Sequence, residues 1–504
     1  DNLATPTRFG PAVNGWLYEQ HLRRRGGHER AYEQSWDFSR RSLSGESVAG
    51  DLLIRNSAMV VGGRVVDGDL RVVSGVIRSI AVGGGLDPHD GELVIDGEGL
   101  HLLPGAIDPQ VHFREPGQPE KEDIGSGSRA AAAGGVTAFL DMPNNVPAAT
   151  GMAAMQAKLD SAARSAVTHH GFFIGATSDN VSDLQAAVGA PDDPSPTAGV
   201  CGIKVFMGSS TGDLLVHEQQ HLEDIFAGTA GIIAVHAEDE DRLNARKPEF
   251  AHRTDVAAHA EWRDSETALI ATQRAAALAE SHRHRLHVLH LTSALEADWL
   301  AGNKSSLITT EVCPQHLTFD DGDVAERGTR LVMNPPIRYA EDRETLWRRL
   351  ADGTIDCIAT DHAPHALDNK ALGFPQAHSG MPGVETSLPL MLTHAADGRC
   401  SVADVARWMC EGPAEVYGMK CKGRLEEGMD ADLVLVDMGA RRTICDADTW
   451  TRVGWTALDG MSLTGWPMFT IVDGQVVHSR DSGGALRGNA VASPGSVGRA
   501  LEFF

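Results

Sequence analysis

The chain has 504 residues, 42% of them hydrophobic, which is enough for one large barrel with additions or for about two to four domains. Its 44 Lys and Arg against 69 Asp and Glu give a net charge of −25, which repels phosphate backbones and excludes most nucleic-acid-binding functions. No apolar stretch approaches the length of a membrane span, and residues 1–10 contain no apolar signal core. These features predict a cytoplasmic protein that acts on a small molecule, without a nucleic-acid or membrane partner.

The two ends of the chain differ from its middle in composition and in the pattern of apolar residues. Residues 1–47 are polar and rich in arginine, and we interpret them as an N-terminal extension. Residues 48–103 contain short alternating runs such as Leu52-Leu53-Ile54, and this β pattern returns within 416–485. We expect these two flanks to form one small composite β-sandwich domain, followed by a C-terminal tail over 486–504.

The middle, residues 104–415, alternates short apolar runs with Ala-rich amphipathic segments such as Met152–Ala166 and Glu266–Ser281. Eight strands alternating with helices are typical of a (β/α)₈ TIM-type barrel. The eight runs are His101–Ile107, Val136–Asp141, Gly171–Gly175, Gly202–Met207, Ile232–His236, Leu286–His290, Leu307–Val312 and Cys357–Thr360.

Nearly every predicted strand ends in polar residues, where barrels of this kind build their active sites. The residues at these positions include Gln110, His112, Asp141, Asn144, Lys204, His236, His290, His316, Asp361 and His362. Imidazoles and carboxylates without a thiolate cluster favour one or two Zn²⁺ ions. Lys204 fits among such ligands only if CO₂ converts its neutral amine into an anionic carbamate. Its position inside an apolar run, where an unpaired charge is costly, favours a functional role over an ordinary ion pair.

Several motifs together make the chain resemble the dihydroorotases of the amidohydrolase superfamily over residues 50–480. They are Pro104-Gly105-Ala106-Ile107-Asp108, His112-Phe113-Arg114-Glu115-Pro116-Gly117, Ala133-Gly134-Gly135-Val136-Thr137, Asp141-Met142-Pro143-Asn144, Asn334-Pro335-Pro336-Ile337-Arg338 and Ala359-Thr360-Asp361-His362-Ala363-Pro364-His365. The resemblance implies reversible hydrolysis of dihydroorotate to N-carbamoyl-aspartate in de novo pyrimidine biosynthesis. It also favours a homo-oligomer, with a dimer as the simplest form.

The resemblance implies a role for each matching residue. His112 and Asp361 would bind the first metal, a carbamate on Lys204 would bridge, and His236 and His290 would bind the second. Asp361 would also act as general base and then general acid, because a carboxylate beside activated water can take its proton and pass it to the leaving nitrogen. The substrate carboxylate would be held by Arg114, Asn144 and His365. Asn334 and the Gly380–Gly383 loop would face the ring, and His316 would line the pocket rather than bind metal.

One departure concerns the first metal. The family has His-x-His where this chain has Gln110-Val111-His112. A glutamine amide is a weaker, neutral ligand, so occupancy of the first metal site stays open.

Two other functions compete with this one. A hydantoinase or allantoinase would share the metal ligands, but its substrate has no free carboxylate to require Arg114. A catalytically silent scaffold would account for Gln110, but not for the retention of His112, Lys204, His236 and Asp361 in context.

Overall fold

The computed structural model describes residues 51–210, 214–480, 489–490 and 497–503. The predicted N-terminal extension lies outside the described residues, and the predicted C-terminal tail is described only in part. Within the described ranges, no helix combines the length and the apolar character needed to cross a membrane.

Within the described residues, two flanking segments form one mixed sheet, and the barrel lies between them in the sequence. The first flank contributes β1 (Leu52–Val61), β2 (Arg64–Val73), β3 (Val76–Val82), β4 (Leu93–Asp96) and β5 (His101–Pro104). The barrel strands are β6 (Ala106–Val111), β7 (Val136–Asp141), β8 (His169–Gly175), β9 (Val200–Phe206), β10 (Ile232–His236), β11 (Arg285–Val288), β12 (Ile308–Val312) and β13 (Cys357–Ile358). The second flank contributes β14 (Leu433–Thr443), β15 (Ser462–Val472), β16 (Gln475–Ser479) and β17 (Asn489–Ala490).

Both flanks are hydrogen-bonded into a single nine-stranded sheet, in the order β17-β16-β15-β14-β5-β1-β2-β3, with β4 paired to β1. The flanks meet where β5 pairs antiparallel with β14, and Leu102 opposes Leu435 there. Both leucines are fully buried in an apolar cluster separate from that of the barrel. The predicted β structure built from both flanks is thereby confirmed, whereas the boundaries of the domains stay predictions.

The barrel confirms the predicted (β/α)₈ class. Strands β6 to β13 are hydrogen-bonded in chain order, and their neighbours run parallel. A parallel bridge between Val111 and His362 connects the end of the first strand to the segment after the last. Strands β7 to β10 are buried at every position, as expected for parallel strands covered on both faces.

The first predicted barrel strand, His101–Ile107, is divided in the structure. His101–Pro104 belongs to the composite sheet as β5, and the barrel begins at Ala106. The chain passes from one sheet to the other at Gly105. A side chain would not fit at this position, because a Cβ there would lie 2.2 Å from Thr137 Oγ1. A continuous apolar pattern cannot reveal that the chain changes sheets at this residue.

Helices follow the barrel strands as the amphipathic segments predict. In the helix Met152–Ser165, for example, Met155, Lys158 and Ala162 recur at helical spacing and are buried. A π-helical turn, Arg407–Glu411, joins the helices Val402–Ala406 and Gly412–Tyr417, and 3₁₀ turns lie at Gly328–Leu331 and Asp446–Asp448. The helices are α1 (Ile124–Ala133), α2 (Met152–Ser165), α3 (Val181–Val188), α4 (Gln219–Gly228), α5 (Glu240–Phe250), α6 (Ala257–Trp262), α7 (Ser265–His282), α8 (Ala294–Asn303), α9 (Pro314–Thr318), α10 (Asp321–Arg327), α11 (Ala340–Ala351), α12 (Leu367–Lys370), α13 (Ser387–Ala396), α14 (Val402–Ala406) and α15 (Gly412–Tyr417).

Candidate active site

A cleft of about 350 Å³, including the space open to solvent, lies at the C-terminal ends of the barrel strands. Most of the residues predicted from the sequence line it: Gln110, His112, Arg114, Asn144, Lys204, His236, His290, Asn334 and Asp361. The other two predicted residues contact its wall. His365 Nε2 lies 3.3 Å from Arg114 Nη2, and His316 Nε2 donates to the carbonyl of Pro335 at 3.2 Å.

The first group of candidate ligands is built around Asp361. Gln110 Nε2 donates to Asp361 Oδ1 at 3.0 Å, and His112 Nε2 lies 3.0 Å from the same oxygen. His112 Nδ1 donates to Asn144 Oδ1 at 2.5 Å. Asn144 therefore fixes the tautomer of His112, in addition to the substrate contact predicted for it. Burial lowers the pKa of His112, so the ring is neutral and its Nε2 presents a lone pair toward Asp361.

The second group pairs His236 with His290. His236 Nε2 donates to Glu238 Oε2 at 2.8 Å, which leaves Nδ1 as a lone pair 3.1 Å from His290 Nε2. Burial disfavours the charge on Glu238, but Arg263, at 2.5 Å, holds the pKa of this carboxyl well below its usual value. Burial lowers the pKa of both histidines, so both are neutral. A carboxylate that orients a histidine through its second nitrogen is a recurring feature of metal centres.

Lys204 lies on β9 and is 1% exposed. Its Nζ lies 4.4 Å from the centre of the Phe206 ring. Within the described residues, no carboxylate forms a salt bridge with this amine. Burial lowers the pKa of Lys204 to about 7, against the opposing influence of Asp361 and Glu311. A much larger share of the amine is therefore neutral near pH 7 than in an ordinary lysine, and only the neutral amine reacts with CO₂.

These donors fit a cation. Lone pairs of His112 Nε2 and Asp361 Oδ1 face each other at contact distance, which favours a positive charge between them. Gln110 Oε1 and His290 Nδ1 are buried without a hydrogen-bond partner in the described part of the chain. Two other groups of side chains also bring possible ligand atoms together, namely His287 with Glu311 and Cys357, and His169 with Asp432 and Asp473. In the second of these, the ammonium of Lys422 already neutralises Asp432 at 2.5 Å.

Arg114 provides the cationic side of the cleft. It is 2% exposed, and its Nε has no hydrogen-bond partner among the described residues. Burial lowers the pKa of Arg114 to about 10, which still leaves it charged at neutral pH. A buried guanidinium with an unused donor, facing a cleft, is suited to bind an anionic group of a ligand.

Three residues of the cleft have left-handed backbone conformations: Arg114 (φ 55°), His290 (φ 38°) and Asp361 (φ 48°). Each such conformation costs about 1–3 kcal/mol in a residue other than glycine, and such costs cluster at functional sites. The sequence contains no signal for this backbone geometry.

Asn334 is held by a residue that was not predicted. Its Oδ1 lies 2.9 Å from Nε2 of His259, on α6. Burial lowers the pKa of His259 to about 3, so the neutral ring donates and fixes the orientation of the Asn334 amide. Four further cleft residues were also missed: Phe206, Ser210, Ala363 and Ser379. Only Phe206 had a usable signal, because it lies two residues after Lys204 on the same face of the strand.

Comparisons with known proteins identify the family of the chain. Residues 101–477 match the model of the Amidohydrolase family. A dihydroorotase from Methanothermobacter thermautotrophicus is 36% identical over 84% of this chain and 94% of its own length. An allantoinase from Streptomyces avermitilis is also 36% identical, over 82% of this chain and 92% of its own length. The solved structure of an L-hydantoinase from Arthrobacter aurescens superposes with a TM-score of 0.81 and 27% identity, covering 90% of this chain and 99% of that one. The chain therefore belongs to the amidohydrolase family.

Proposed function

We propose that the protein is a dihydroorotase, which interconverts dihydroorotate and N-carbamoyl-aspartate in de novo pyrimidine biosynthesis. The observation that carries this choice is Arg114, a buried guanidinium with an unused donor beside the candidate metal ligands. Dihydroorotate carries a carboxylate on its ring, whereas hydantoin and allantoin carry none. A buried, charged guanidinium distinguishes strongly between such substrates, because it loses its partner when the carboxylate is missing.

The residues of the cleft have separate tasks in this proposal. Arg114 binds the substrate carboxylate, supported by Asn144 and by His365, whose Nε2 lies beside the guanidinium. Asn334 directs its amide toward the ring. Asp361 accepts the proton of the attacking water and returns it to the ring nitrogen that leaves. Gln110 Nε2 donates to Asp361 and fixes the direction of the carboxylate during this transfer.

The residues that would hold the metal are His112, Lys204, His236, His290 and Asp361, with Lys204 as a carbamate derived from CO₂. Members of the family are metal-dependent, and the nitrogen and oxygen donors of this set suit Zn²⁺. Bound Zn²⁺ would supply polarisation of the amide carbonyl and a lower pKa for the attacking water.

A direct assay tests the proposal. The purified protein is analysed for metal and then given dihydroorotate, hydantoin and allantoin in parallel. We expect kcat/KM for dihydroorotate to exceed that for either uncharged ring by about a hundredfold or more. Preference for allantoin would favour the alternative suggested by the Streptomyces avermitilis relative. A protein without metal and without turnover would instead be a silent scaffold.

The position of equilibrium should depend on pH. Ring opening creates a new carboxylate and releases a proton, so the equilibrium shifts about tenfold per pH unit above the pKa of the new acid. Cyclisation gains as pH falls, and hydrolysis gains as pH rises. The ratio of the two compounds, measured from both directions at pH 6 and pH 8, checks this. A ratio that stays constant would mean that a different bond is being hydrolysed.

Gln110 should make the two metals unequal. His112, Asp361 and the carbamate of Lys204 would hold the first metal, while the amide of Gln110 already donates to Asp361. The second has two imidazoles and the same carbamate, so we expect it to survive mild chelation after the first has left. Gln110→His adds an imidazole and should strengthen retention of the first metal on the order of tenfold.

Stepwise chelation with metal analysis checks this prediction. Gln156→His, the same change on an exposed part of α2, provides the matched control. Two equally retained metals, unaffected by Gln110→His, would mean that Gln110 only fills space.

The assembly and location of the protein complete the proposal. A homo-oligomer, in the simplest form a dimer, is expected in the cytoplasm. Light scattering of the purified chain measures the mass of the assembly.

A further inference from the structure

Lys370 ends α12, in the segment that follows β13, and its ammonium is buried behind one wall of the cleft. The residue is 1% exposed. Its Nζ donates to three backbone carbonyls, those of Val332 at 2.9 Å, His378 at 2.7 Å and Gly380 at 2.8 Å. A lysine ammonium has three donors, so all of them are used.

The three carbonyls belong to two segments that form the cleft wall. Val332 lies two residues before Asn334, and Ser379 and Gly380 line the cleft themselves. The segments also pair directly, because Gly380 N donates to Val332 O at 2.9 Å. Three carbonyl oxygens converging on one point repel each other unless a cation lies between them. The ammonium therefore holds the two segments in register.

Burying the charge of Lys370 costs free energy, and close packing at this position does not require a charged residue. Other buried lysines, such as Lys158 and Lys422, form salt bridges with carboxylates. Lys370 forms none with the described residues. Burial lowers the pKa of Lys370 to about 7, so the charge is unfavourable there, but the three carbonyl acceptors around Nζ require the three hydrogens that only the ammonium has. A methionine would occupy a similar volume without this cost, so the three carbonyl contacts are the reason for a lysine.

We propose that Lys370 is a positioning residue for the substrate ring, fixing the backbone around Asn334 and Gly380 so that the polar groups of this wall meet the ring in one geometry. This role of Lys370 depends on the proposed function only for the identity of the substrate ring. Within the described residues, Lys370 forms no hydrogen bond with the candidate metal ligands or with Arg114. Its loss should therefore act on substrate binding and leave the metals in place.

The test compares Lys370→Met with Lys304→Met. Lys304 also donates to a backbone carbonyl, that of Thr354 at 2.7 Å, and pairs with Asp356, but it lies outside the cleft lining. Hydrogen–deuterium exchange followed by mass spectrometry should show faster exchange of the peptide containing Ser379 and Gly380 in Lys370→Met only. KM for dihydroorotate should rise about tenfold, with kcat changed less than about threefold and metal content unchanged. Lys370→Arg, which keeps a cation, should restore part of the loss.

Several outcomes would overturn the proposal. Unchanged exchange at Ser379 and Gly380 in Lys370→Met would show that the carbonyls do not need the ammonium. An equal rise of KM in Lys304→Met would indicate a general loss of stability. An unfolded Lys370→Met chain would make the lysine a requirement of the whole barrel rather than of this wall. The exchange result does not depend on turnover, so failure of the dihydroorotase assignment alone would leave it interpretable.

Discussion

Arg114→Met is expected to lower kcat/KM for dihydroorotate by at least about a hundredfold while leaving the metal content unchanged. A charge-assisted pair in a buried site is worth several kcal/mol, and each 1.4 kcal/mol corresponds to about a factor of ten. Arg114 is 2% exposed and has an unused donor at Nε, so the guanidinium is available for such a pair. Methionine keeps much of the side-chain volume but removes the charge. Steady-state kinetics together with metal analysis measure both quantities.

The comparison with a substrate that lacks the carboxylate makes this result specific. Dihydrouracil has the same ring without the carboxylate, so Arg114→Met should affect its slow turnover much less. Arg480→Met is the matched control, because Arg480 is also a buried arginine, but its guanidinium contacts the carbonyl of Pro467 in the composite sheet. Near-normal kcat/KM for dihydroorotate in Arg114→Met would contradict the substrate assignment and favour a hydantoinase or allantoinase.

The fold could be predicted because the apolar runs, the helical segments and the β patterns along the sequence all favoured the same architecture. Apolar runs at regular intervals predicted the barrel, and a β pattern at both ends predicted the composite sheet. The division at Gly105 could not be predicted, since the residues on both sides of it within the predicted run His101–Ile107 are mainly apolar. Which sheet a strand joins depends on its partner, and β5 finds its partner in β14, more than 300 residues away along the chain.

The candidate ligands could likewise be located from strand ends, but the residues that orient them could not. Glu238 follows His236 by two residues, yet only the structure shows that its carboxylate accepts a hydrogen bond from Nε2 and leaves Nδ1 facing His290. His259 and Lys370 lie on short helices with no sequence signal. Their roles follow from contacts with distant segments, and a pattern along one strand or helix contains no information on such contacts.

Lys204→Ala is expected to abolish most activity and to remove at least one metal. In our proposal Lys204, as a carbamate, would be a metal ligand, and its surroundings support this because the amine is buried beside Phe206 and burial lowers its pKa to about 7. Loss of an anionic ligand costs several kcal/mol of charge stabilisation, which corresponds to about a thousandfold or more in kcat. Alanine also leaves a space, bounded by Phe206, of the size of the missing chain.

Short carboxylic acids such as acetate or propionate should enter that space and partly restore both metal content and activity, since their carboxylate replaces that of the carbamate. Lys204→Met is the matched control, because it removes the same amine but fills the space, so added acid should not restore it. Bicarbonate gives a second measurement on the unmodified chain: protein stripped of metal and CO₂ should regain activity with Zn²⁺ only when bicarbonate is also present. Full metal content and full activity in Lys204→Ala would eliminate the carbamate. Recovery of stripped protein with Zn²⁺ alone, in CO₂-free buffer, would eliminate it as well, since the amine of Lys204 would then be sufficient without CO₂.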